Sequence, residues 1–120
     1  MWAAYRGHGD MVEYLHRAVA DLNIKDEDGA TVVMLAAYSG HGDIVKHLHQ
    51  AGADINIRTN AGATAVMVAA AMGHGDIVEY LHQAGADINI KDNNDGTAVI
   101  LAASGGHGDI VEYLQAAGAK

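Results

Sequence analysis

The chain has 120 residues, half of them apolar, and a formal charge of −8 from 7 basic and 15 acidic side chains with histidine neutral. That length suits one core, while the acidic balance argues against a nucleic-acid partner and an anionic membrane surface. Cysteine and proline are both absent, which excludes disulfides and thiolate metal sites.

The start, Met1-Trp2-Ala3-Ala4-Tyr5-Arg6-Gly7-His8, has no cationic segment leading into an apolar run, so it does not read as a signal peptide. The most apolar stretch, Ala63 to Met72, is too short to span a bilayer. The expectation is an intracellular, cytoplasmic protein. One period then organises the chain. Gly-His-Gly-Asp starts at Gly7, Gly40, Gly73 and Gly106, each 33 residues after the last. An apolar run follows every copy: Met11-Val12, Ile44-Val45, Ile77-Val78 and Ile110-Val111. The domain is expected to cover 1–120, with a truncated first repeat (1–24) and further repeats at 25–57, 58–90 and 91–120.

Within a unit, Thr31 is placed to cap a short apolar helix and Gly40 to end it. The Ala36-Ala37 pair lets a neighbouring helix approach closely. Asp43 is expected to cap a second helix, and Asp10 with Glu13, Asp76 with Glu79 and Asp109 with Glu112 have capping-box spacing. Ile44, Val45 and Leu48 form one helix face, and Gly52 and Gly85 end their helices. From Ile55 to Ala63 the pattern suits an extended turn or hairpin. Helices shorter than about 12 residues are marginal alone, so each unit must bury its apolar face on the next. The fold class is an all-α helix-turn-helix solenoid with short hairpin-type loops between repeats.

These residues resemble the ankyrin repeat, whose 33-residue unit is a turn plus two helices. The matching pieces are Asp26-x-x-Gly29-x-Thr31, Leu35-Ala36-Ala37, Gly40-His41, Ile44-Val45, Leu48 and Gly52-Ala53-Asp54-Ile55-Asn56. The resemblance implies hairpins projecting sideways and first helices lining a concave groove. It also implies a protein partner bound at variable positions on the groove and tips. Here these are Tyr5, Arg6, Glu27, Asp28, Ala30, Tyr38, Ser39, Asn60, Ala61, Ala63, Ala71, Met72, Asn93, Asn94, Gly96, Ser104 and Gly105.

The departures from the family pattern carry their own expectations. The family's Thr-Pro-Leu-His is Thr31-Val32-Val33-Met34, Thr64-Ala65-Val66-Met67 and Thr97-Ala98-Val99-Ile100, so the histidine bond to the turn must be missing. His16, His49 and His82 replace a buried leucine, and burial of a neutral ring predicts stability that drains on acidification. Val19 stands where other repeats have glycine, which predicts strain. Asp95 replaces the turn glycine of Gly29 and Gly62, which predicts a reshaped tip. Neither end carries a polar capping repeat, which predicts self-association through the terminal repeats and fits an excised or engineered array.

The catalytic and metal readings are weak. Histidines in equivalent positions of stacked helices lie about 8–10 Å apart, whereas zinc ligands sit about 2 Å from the ion. The Gly-His histidines are expected to bond loop backbone, as in the family. Ser39 and Ser104 are the only serines, and no cluster of potential catalytic residues breaks the period, so no enzyme is expected. No cofactor is assigned. Asn23, Asn56 and Asn89 stand where ankyrin-like proteins are hydroxylated, but an asparagine stabilising the turn is the better supported reading. The sequence thus points to a protein-binding module or scaffold. The alternatives are a designed or excised folding model without a ligand, and a histidine-based metal or pH-responsive module.

Overall fold

A computed structural model describes residues 25–119 of the chain. The readings made on Tyr5, Arg6, His8, His16 and Val19, and on the first repeat generally, lie outside these residues. The described part holds six helices and no strand: α1 (Val32–Ser39), α2 (Gly42–Gln50), α3 (Ala65–Met72), α4 (Gly75–Gln83), α5 (Ala98–Ser104) and α6 (Gly108–Ala116). Helices α1, α3 and α5 pack in one row and α2, α4 and α6 in a second, with each first helix against its own second helix.

The two rows have different sequences because they meet different surroundings. In α1 every residue from Val32 to Ala37 is buried, and α3 buries all but Val68, Ala71 and Met72. A helix apolar all round must be enclosed, and Ala36, Ala37, Ala69 and Ala70 are 0% exposed because their small side chains let the row close up. The second helices bury one stripe each: Val45 and Leu48 in α2, Ile77, Val78 and Leu81 in α4, Ile110 and Leu114 in α6. Loop residues Ala53, Ile55, Ala86 and Ile88 extend the core between units.

The first helices stop where the sequence indicates. Gly40 and Gly73 take left-handed φ of 78° and 82°, and the next amide, His41 or His74, reaches back to the Ala36 or Ala69 carbonyl at 3.0 Å. This is the six-to-one bond of a glycine-ended helix. The starts differ from expectation. Thr31 and Thr64 hold the N-cap position with extended backbone, yet their hydroxyls make no cap bond and are buried without a partner. Thr97 does cap, accepting from the Ile100 amide at 3.5 Å.

Asp43 and Asp76 are also not caps. The N-caps are His41 and His74, the helices begin at Gly42 and Gly75, and each aspartate is already inside the first turn. Asp76 accepts from the adjacent Ile77 amide at 3.0 Å, while Glu79 accepts from Gln83, so no capping box closes. The left-handed glycine followed directly by the histidine cap brings the chain into the helix two residues early. In this position the carboxylate still faces the positive end of the helix dipole.

The fourth tip is not reshaped. Asp95 adopts φ 63°, in the same left-handed region as Gly29 at 80° and Gly62 at 86°. Its amide bonds the Asp92 carbonyl at 3.0 Å, as Gly62 bonds Thr59 at 2.8 Å. Aspartate tolerates this conformation better than most residues, so the turn survives the substitution.

Candidate protein-binding face

Bonds between consecutive units tie the tips to one another. At the tips, the Asn60 amide donates to the Asp28 carbonyl and the Asn93 amide to the Ala61 carbonyl, both at 2.9 Å. The side-chain amides repeat the step: Asn60 Nδ2 donates to Glu27 O, and Asn93 Nδ2 to Asn60 O, again at 2.9 Å. Lys25 Nζ donates to Arg58 O at 3.3 Å and Arg58 Nη2 to Lys91 O at 2.6 Å. Asp26 and Asp92 each fold their own tip by accepting two backbone amides.

The Gly-His turns are tied across units as well. His74 Nε2 donates to Tyr38 O and His107 Nε2 to Ala71 O, each at 3.1 Å. These rings therefore bond the end of the preceding repeat's first helix, not the backbone of their own loop. The approach is close: a Cβ on Gly40 would lie 2.8 Å from the His74 ring, and one on Gly73 2.7 Å from that of His107.

A third set joins the second helices. His49 Nδ1 and the Tyr80 hydroxyl are hydrogen-bonded at 2.7 Å, and His82 Nδ1 and the Tyr113 hydroxyl at 2.8 Å. Each pair meets edge to face, with ring centroids 5.6 and 5.7 Å apart. Both histidines are half-buried, not fully buried as their leucine-like position suggested, because a polar partner on the next helix holds them at the edge of the stripe. Burial, with the Glu79 carboxylate adding to it, raises the Tyr113 phenol above its usual pKa of 10.0.

The positions expected to contact a partner divide into groups. Glu27, Asp28, Asn60, Ala61, Asn93 and Asn94 are exposed on the tips, although the Asn60 and Asn93 side chains are committed to the inter-tip bonds. Ala30 and Ala63 are half-buried, and Gly96 is buried under the Asp92 carboxylate, so it offers no surface. At the ends of the first helices, Tyr38, Met72, Ser104 and Gly105 are exposed, while Ser39 and Ala71 are half-buried.

Tyr38 at 45% and Met72 at 41% are large apolar side chains left in solvent. Their counterparts in the other described repeats are Ala71 and Ser104, and Ser39 and Gly105. A further such residue among those described, Ile100, was not singled out by sequence. Its counterparts Met34 and Met67 are 3% and 1% exposed, whereas Ile100 is 48% exposed. The available signal was its place in the last repeat, where no later unit of this sequence covers it.

Clefts of about 320 and 430 Å³ open near the second-helix starts, lined by residues such as His41, Asp43 and Asp76, or His107 and Asp109, that recur in every unit. Recurrence marks these as framework. Among the described residues, no three histidine or carboxylate side chains converge to hold a metal ion, and no helix is long and apolar enough to cross a membrane.

Two rows of short helices, tied unit to unit at tips, turns and second helices, define a helical repeat solenoid. The sequence matches the family model for ankyrin repeats in three copies, over residues 1–92 and again over 48–120. The chain belongs to the ankyrin repeat family, whose members are generally non-enzymatic protein–protein interaction modules. A search of curated proteins finds no match.

Proposed function

We propose that the chain binds another protein through the ends of its first helices and the tips beside them, acting as a scaffold and not as an enzyme. The reading treats residues 1–120 as one intracellular repeat domain without a cofactor. The observation that carries it is the exposure of Tyr38 and Met72. Both residues break the repeat pattern, so the fold does not require them, and large apolar side chains kept in solvent mark interaction surfaces.

The test is selection of binders from a displayed random-peptide library against the full chain, followed by affinity measurement on variants. Tyr38→Ala and Met72→Ala should each weaken the selected binders at least tenfold while leaving the melting temperature nearly unchanged. Gln50→Ala and Glu112→Ala, exposed positions on the second helices, should leave binding intact. Equal losses from both groups would refute the proposed face.

A further inference from the structure

We infer that Asp95 is a stop residue that closes the fourth repeat to the addition of another ankyrin-type repeat. Gly29 and Gly62 hold this position in the preceding tips, where the backbone is left-handed and the next tip also crosses directly over it. A Cβ on Gly29 would lie 2.8 Å from both the backbone nitrogen and Oδ1 of Asn60, and 3.2 Å from Thr59 Cα. A Cβ on Gly62 would lie 2.8 Å from Asn93 Oδ1, 2.9 Å from Arg58 Nη2 and 3.0 Å from the Asn93 backbone nitrogen. The backbone atoms among these, 2.8 Å away over Gly29 and 3.0 Å over Gly62, make room only by shifting the crossing tip.

Asp95 occupies this position in the same turn, with φ 63° and the same closing bond to the residue three before it. Its Cβ therefore stands in the space through which a further tip would pass. The rung that is blocked can be named. The Asp28 and Ala61 carbonyls accept the amide of the next tip, and the corresponding carbonyl here is that of Asn94, adjacent to Asp95. A fifth repeat in the internal register would lose its tip bond and clash with Asp95. The exposed Ile100 is thus not covered by another unit of the same kind, as Met34 and Met67 are. Asp95 determines which neighbours the fourth repeat accepts, a role separate from the protein-binding face above.

The experiment transplants the stop within the full chain. Gly62→Asp is compared with the parent by amide hydrogen exchange, and Asp95→Gly measures the left-handed strain of aspartate by itself. With Gly62→Asp, protection of α5 and α6 should fall at least tenfold more than that of α1 and α3, because the two sides are uncoupled at the tip. A uniform fall across all helices, matching in size the gain from Asp95→Gly, would reduce the effect to strain and overturn the inference. Should Gly62→Asp not fold, the chain is extended after Lys120 by Ile-Asn-Ile and a copy of residues 58–90. There Asp95→Gly should raise protection in the added helices at least tenfold, and no gain overturns the inference.

Discussion

Asp95 and Gly62 hold the same left-handed tip conformation one repeat apart, at φ 63° and 86°. Only the aspartate is strained by it, since a Cβ in this region costs about 1–2 kcal/mol, less for residues such as aspartate that can bond locally. Asp95→Gly should therefore raise the stability of the chain by about 0.5–1 kcal/mol. Urea denaturation should show a higher midpoint with an unchanged slope. A lower midpoint would mean that the carboxylate contributes more to the tip than its backbone costs.

The orphaned hydroxyls of Thr31 and Thr64 give a second expectation. A buried hydroxyl without a partner carries a desolvation penalty of about 1–3 kcal/mol, and an apolar group of the same shape removes it. Thr64→Val should be neutral or stabilising by about 1 kcal/mol, because no cap bond is lost. Thr97→Val should not stabilise, because Thr97 does accept from the Ile100 amide. Thermal melts of the two variants side by side test this, and identical shifts would contradict it.

The histidine–tyrosine pairs predict a measurable coupling between repeats. In a cycle of His49→Leu and Tyr80→Phe, the interaction energy should be about 0.5–1.5 kcal/mol, the net worth of one hydrogen bond. His82→Leu with Tyr113→Phe should give a similar value. A cycle that sums to zero would show that the 2.7 Å contact between His49 and Tyr80 is geometrically good but energetically empty.

The Tyr113 phenol predicts a loss of stability on the alkaline side. Its phenol is raised above 10.0 in the folded chain by burial and by the Glu79 carboxylate. In the window above the unfolded pKa, the folded chain therefore binds more protons than the unfolded one. The stability contributed by the neutral phenol is complete below about pH 10 and is lost as pH rises through that value towards the folded pKa. Denaturation between about pH 8.5 and about pH 11 should show a steeper loss for the parent than for Tyr113→Phe. Glu79→Gln should flatten the parent's curve, and parallel curves for all three would remove Tyr113 as the responsible group.

The period, the helix pairs, the glycine stops and the apolar stripes were legible in the sequence, because each depends on local spacing or backbone preference. Gly40 ends its helix for a reason contained in its own φ, and Val45 with Leu48 faces the core because helical geometry aligns them. The partners of individual side chains were not legible, because they lie one repeat away. His74 bonding Tyr38 O, and His49 hydrogen-bonded to the Tyr80 hydroxyl, require the distance between units, which no local pattern encodes. Three further departures are conformational details of single turns. Thr31 does not cap although its residue type suits the role, Asp76 sits inside its helix, and Asp95 keeps a glycine's turn. Sequence by itself determined which residues form the framework, since those recur. Tertiary structure decided which side chains are left in solvent, because exposure depends on whether a neighbouring unit covers them. Met67 at 1% and Ile100 at 48% occupy the same position in successive repeats, and only the packing of the next first helix separates them.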